Sequence, residues 1–218
     1  MTDPREHVLA SIRSALHARE SASPPPGEPA PAATPTAAEP TLPDEQLVIL
    51  FIDRLRDYGA AVTTCEPDGI AHALQEACRR HHAQRLVVAP GVPERWRPDG
   101  VELIADQTLT YQELDAVDGV ITGAAAAIAT SGTIALDGGP DQGRRAITLI
   151  PDLHLCVVSA ERVVARLPEA LELLSSAVTR DRRPITLISG PSATADIELR
   201  RVQGVHGPRR LEVVVSAG

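Results

Sequence analysis

With 218 residues, 43% of them hydrophobic, the chain can bury one sizeable core, which suits a single domain or a domain with an appendage. A formal net charge of -8 excludes a general binder of phosphate backbones or anionic membranes, and an aromatic content of 2% leaves few platforms for stacking bases. Lysine is absent, which excludes a Schiff-base mechanism and a Walker A lysine, because both need an amine within reach of the substrate.

The first predicted element is a helix within residues 1–20. Asp3 caps it, Pro4 takes the first helical position, and Val8, Ile12 and Leu16 recur four apart on one face. Residues 21–41 are Pro, Ala, Ser, Thr and Glu with almost nothing to bury, so they read as a disordered Pro/Ala-rich linker. A tethered stripe of this kind docks either on its own domain or on a partner. The N-terminus pairs Asp3, Arg5 and Glu6 instead of placing a basic region before an apolar block, and no apolar run reaches membrane length, so a soluble cytoplasmic protein is expected.

Residues 42–218 read as one α/β domain. Leu47, Leu50, Phe51, Leu55 and Tyr58 follow helical spacing until Gly59 supplies a stop. A strand at 61–65, a helix at 68–82 and a strand at 85–89 then set a βαβ rhythm. Further strands are predicted at 101–105, 119–122, 126–129, 133–136, 155–158, 185–189 and 211–215, with helices at 110–116 and 168–179. Short Val/Leu-rich runs alternating with helices indicate a mostly parallel sheet covered on both faces. The pair of strands around Thr130-Ser131-Gly132 reads as a hairpin, which makes that sheet mixed. Cys65, Cys78 and Cys156 are far apart in apolar contexts. They spell out neither a disulfide framework nor a zinc or iron–sulfur ligand set, and read as buried small hydrophobes.

Two segments near the C-terminus carry the strongest signal. Gly190-Pro191-Ser192-Ala193-Thr194 follows a predicted strand and precedes Asp196-Ile197-Glu198, which reads as a polar helix start. Backbone N–H groups and the Ser192 and Thr194 hydroxyls would then converge on an anion at a strand's carboxyl end. Taken alone, the same residues make a turn and a helix cap. His206, between glycines in Gly204-Val205-His206-Gly207-Pro208, is a candidate proton donor or acceptor, or else a hydrogen-bonded loop anchor. His154 reads as structural, and the adjacent His81 and His82 do not pair as metal ligands.

Ser131-Gly132-Thr133 is a second polar turn, a hairpin on its own terms and a ligand contact if the segments meet. Gly138-Gly139-Pro140-Asp141-Gln142-Gly143-Arg144-Arg145 has the outline of a phosphate loop, but Arg144 and Arg145 stand where Lys and Ser or Thr belong, so a P-loop is rejected. The two arginines either clamp a carboxylate or phosphate or form a solvated face. Neither GxSxG, GxGxxG nor HExxH occurs.

Together with residues 122–133 and Pro151-Asp152-Leu153-His154-Leu155, these C-terminal segments resemble the LUD domain of the lactate-utilisation protein C family (LutC/YkgG type), from about Leu42 to the end. Thr130 stands where the family pattern has Glu, and Ala125 and Ala126 replace a bulkier pair. The resemblance implies a three-layer α/β/α sandwich of the NagB/RpiA/CoA-transferase-like superfamily. It implies a role in oxidising L-lactate to pyruvate beside LutA-like and LutB-like iron–sulfur proteins, with no cofactor in this chain and clusters only in those partners. A small anion is then expected at Ser131, Gly132, Thr133, Gly190, Ser192 and Thr194, assisted by Arg144 or Arg145. Two other readings stay open. One is a stand-alone enzyme on a sugar phosphate or CoA thioester with His206, Glu198 or Asp196 as acid/base. The other is an assembly scaffold that recruits partners through its N-terminal helix.

Overall fold

The structure is a computed structural model. It describes residues 9–11, 13–14, 42–195, 201–203 and 206–217, with backbone only at 193–195 and 201–203. The chain divides into two units, residues 1–41 and 42–218. In the first, residues 9–11 and 13–14 are helical; the rest of the expected helix, and the linker, lie outside the described residues. No helix among the described residues is long and apolar enough to cross a membrane.

The second unit opens with α1 (Asp44–Asp57), whose Leu47, Phe51, Ile52 and Leu55 are buried and whose end is marked by Gly59 at φ +85°. β1 (Ala61–Cys65) leads through a short turn into α2 (Ile70–His81), where the capping residue His82 takes the left-handed conformation usually left to glycine. β2 (Arg85–Val88) and β3 (Glu102–Ala105) are followed by α3 (Tyr111–Asp115), held at its start by a reciprocal Thr110–Glu113 capping box. β4 (Gly119–Thr122), β5 (Ala126–Ile128), β6 (Thr133–Leu136), β7 (Leu153–Ser159) and the two-residue β8 (Val163–Val164) precede α4 (Leu167–Thr179). The chain closes with β9 (Thr186–Ile188), β10 (Ala193–Ala195), β11 (Arg201–Gln203) and β12 (Arg210–Ser216).

Six strands form a parallel sheet in the order β1-β12-β7-β4-β2-β3. Its adjacent inner strands β7 and β12 are buried along almost their whole length, which is why they read as continuous Val/Leu runs. Alternation assigns the faces. Leu153, Leu155, Val157 and Val214 pack with Ile70, Leu74 and Ala77 of α2 on one side. Cys156, Val158, Val213 and Val215 pack with Leu47, Phe51 and Leu55 of α1 on the other.

The expected mixed sheet is resolved into two. The β5–β6 hairpin belongs to a separate four-stranded sheet, ordered β8-β5-β6-β9, with β5 parallel to β8 and antiparallel to β6. Ala127, Ala129, Ile134 and Leu136 turn one face of this sheet to the α1 side of the core. Ala126, Ile128 and Ala135 turn the other to Ala170 and Leu174 of α4. Alanine at these positions lets the layers approach closely.

One expectation is overturned. Residues 193–195, directly after Ser192, are a strand paired antiparallel with residues 201–203 and not a helix start; Asp196-Ile197-Glu198 lie outside the described residues. Ser192 therefore does not cap a helix, and no macrodipole points at the Gly190 loop from that side.

Candidate functional site

The antiparallel pairing of β6 with β9, which sets Ile134 opposite Ile188, brings the two polar turns side by side. The Ser131 and Thr133 hydroxyls lie 2.7 Å apart, and the Thr133 hydroxyl lies 2.7 Å from that of Ser189. Each turn also presses a glycine onto the end of α1. A Cβ on Gly132, at φ +57°, would sit 2.6 Å from the Arg54 Cβ; one on Gly190, at φ +110°, would sit 2.8 Å from the Tyr58 Cβ. Gly132 thus serves packing and lies off the cavity described next. Gly132→Ala combines a left-handed backbone with a clash against helix backbone, and should lower stability by about 3 kcal/mol, read as a drop in the denaturation midpoint.

Past β9 the chain forms a cavity of about 250 Å³ with the loop that precedes β12. Its polar lining is Ser189, Ser192, His206, Arg145, Thr148 and His154; Leu187, Ile188, Pro208 and Leu211 supply apolar walls. The loops are pinned together by the Ser192 N–H donating to the Pro208 carbonyl at 2.8 Å and the His206 N–H donating to the Ser192 hydroxyl at 3.2 Å. Gly190 follows the carboxyl end of β9, as expected, but the main sheet meets the cavity by its amino ends: His154 and Leu211 are neighbours at the second positions of β7 and β12.

The electrostatics are simple. Arg145 donates to the Thr148 carbonyl and hydroxyl, both at 2.9 Å, and partial burial pulls its pKa down from the ordinary value while leaving it a cation. His154 is 1% exposed and its Nε2 lies 2.8 Å from the Thr122 hydroxyl. Burial, then the Arg145 charge, lower its pKa to about 4, so the ring is neutral at neutral pH. A guanidinium, hydroxyls and a neutral imidazole in one apolar-walled hollow suit a small carboxylate or phosphate.

Arg144 and Arg145 part company. Arg144 is paired with the buried Asp106, Nε to Oδ2 at 2.7 Å and Nη2 to Oδ1 at 2.9 Å, and its hydrogen bonds hold the Asp106 carboxyl below its usual pKa. It ties down the connection after β3 and does not line the cavity. The Gly138–Gly143 segment lies over the carboxyl ends of β2 and β4, where the Gly91 and Gly123 N–H groups donate to the Pro140 and Asp141 carbonyls at 2.8 and 2.9 Å. The side chain of Thr194 and the whole of Asp196 and Glu198 lie outside the described residues. Sequence reasoning missed Thr148, Ser189 and His154 as lining residues. Ser189 is the last residue of a predicted strand, Thr148 comes to the cavity through the turn it shares with Arg145, and His154 is brought there by the pairing of β7 with β12.

These features define a two-sheet α/β protein: a parallel six-stranded sheet, a second mixed sheet, and a cavity where the two meet. The chain belongs to the LUD domain family, whose model matches residues 50–216. It is similar to a Deinococcus radiodurans protein named Lactate utilization protein C, with 47% identity across 76% of this chain and 77% of the relative. It is also 29% identical to an uncharacterised Escherichia coli protein, YkgG, across 67% of this chain and 70% of that one. Among solved structures, a DUF162 family protein from Deinococcus radiodurans superposes with a TM-score of 0.70 at 38% identity, covering 81% of this chain and 99% of that one.

Proposed function

We propose that this chain is a non-redox component of a system that oxidises L-lactate to pyruvate, holding a small carboxylate in the cavity between the Gly190 and His206 loops. The observation that carries the reading is the cavity's pairing of Arg145 with the Ser189, Ser192 and Thr148 hydroxyls. The naming of the 47% identical relative for lactate utilisation supports it. On this reading the two electrons released by lactate pass to iron–sulfur partners of the LutA-like and LutB-like kind.

Deleting the gene should abolish growth on L-lactate while leaving growth on pyruvate intact, and the wild-type gene should restore it where Arg145→Gln does not. Unimpaired growth of the deletion strain on L-lactate counts against the role. Full restoration by Arg145→Gln counts against the cavity.

A further inference from the structure

Behind the carboxylate cavity, His154 is anchored by a short chain of hydrogen bonds in which each proton has one direction open to it. The pairing of β4 with β7 sets Thr122 beside Cys156, and both are buried. The Cys156 Sγ lies 3.6 Å from the Gly123 carbonyl oxygen, the Thr122 hydroxyl 3.8 Å from that sulfur, and the His154 Nε2 2.8 Å from the Thr122 oxygen. Burial raises the Cys156 thiol pKa to about 12, so the S–H is present, and a carbonyl can only accept it. The sulfur is then the acceptor for the Thr122 proton, and the Thr122 oxygen accepts from the His154 Nε2–H. A neutral ring carries one proton, so Nδ1 is a bare lone pair.

That nitrogen opens on the cavity, which His154 lines. Among the described residues, the unpartnered side-chain polar atoms sealed from solvent are Trp96 Nε1 and Arg183 Nε. Nδ1 is not one of them and no described group hydrogen-bonds to it, so the small remaining exposure of the ring includes this atom. Arg145 lines the same hollow, close enough for its charge to act on the ring.

The Ser189, Ser192 and Thr148 hydroxyls rotate to donate or accept, and the exposed His206 takes either tautomer, so none of them discriminates between ligands. Two polar groups of fixed sense remain. Arg145 only donates, and Nδ1 only accepts. A ligand matched to both carries a carboxylate for the guanidinium and an O–H for the imidazole. A 2-oxo acid satisfies the first but turns a carbonyl lone pair toward Nδ1.

Resting on the carboxylate reading of this cavity, we propose that it selects a 2-hydroxy acid over the corresponding 2-oxo acid, with the ligand carboxylate on Arg145 and its hydroxyl donating to Nδ1 of His154. The cavity thus holds the reduced acid in preference to its oxidation product. Thr122 and Cys156 are positioning residues, which fix the tautomer without touching the ligand.

Calorimetric titration of the full chain should show L-lactate binding about tenfold tighter than pyruvate or propionate, which share the carboxylate but donate no hydrogen bond. Arg145→Gln should weaken all three alike. His154→Gln, whose amide turns either an acceptor or a donor to the ligand, should bring L-lactate and pyruvate to within about twofold of each other. Long-range proton–nitrogen NMR correlations read the ring without any ligand. Wild-type His154 should carry its proton on Nε2, and Thr122→Val, which removes the acceptor, should mix the two tautomers. Equal binding of L-lactate and pyruvate, or a wild-type proton on Nδ1, overturns the selectivity and leaves the carboxylate reading standing. Binding of none of the three acids overturns both.

Discussion

Acidification from about pH 6.5 to about pH 4 is expected to remove about 3 kcal/mol of stability through His154 alone, because burial lowers its pKa from 6.5 to about 4 in the folded chain. In the unfolded chain the imidazole takes a proton near its ordinary value, whereas the folded ring resists until about pH 4. Between those values the unfolded state binds more protons, so stability is full above the window, falls as pH falls through it, and has lost this contribution below it. Carboxylates such as Asp106 add their own loss at the acid end. The informative quantity is the difference between wild type and His154→Gln in urea unfolding across the window. The variant should show the shallower dependence on pH, and parallel curves would mean that the ring is not the titrating group.

Glu212→Ala should be nearly as costly, about 3 kcal/mol. The Glu212 side chain is 0% exposed on β12, yet it faces α2, where one oxygen meets the His81 Nε2 at 2.8 Å and the other meets the Arg80 guanidinium. The Thr63 hydroxyl on neighbouring β1 completes the cluster at 3.5 Å. Removing one member of a buried pair strands its partners, at about 3–5 kcal/mol. The lower figure applies because the Arg80 side chain is 50% exposed and recovers part of its hydration. Glu212→Gln keeps shape and acceptor and should lose roughly half as much. Urea midpoints at an unchanged slope measure both; equal loss in the two variants would show that packing, not charge, dominates.

Most elements of the domain were legible because each carries its own period. Helical spacing ending at Gly59 marked α1, and short Val-rich runs marked β2, β4, β7 and β12. What stayed hidden was partnership. β4 and β5 read alike as short apolar runs, but β4 joins the parallel sheet while β5 joins the second one, a choice made by contacts distant in sequence such as Ile134 with Ile188. β8 is two residues long, too short for any period to show. The reading of Ser192 as a helix cap was overturned for the converse reason. Asp196 and Glu198 look like a polar first turn, but the chain before them is a strand whose partner lies downstream at residues 201–203.

The site was legible in its loops and not in its floor. Gly190, Ser192 and His206 stood out by their Gly- and Pro-flanked loops and by the family resemblance, and the structure brings them together. Arg144 and Arg145 were one candidate on the page because they are adjacent, yet one reaches Asp106 and the other Thr148. Adjacency along a chain says nothing of direction once the backbone enters a tight turn.

The paired glycine contacts on α1 have a mechanical corollary. With no room for even a methyl group between Gly132 and Arg54, or between Gly190 and Tyr58, there is no slack at either seam. A tilt at the tail of that helix therefore cannot be taken up at the Gly190 seam without displacing the loop that lines the hollow.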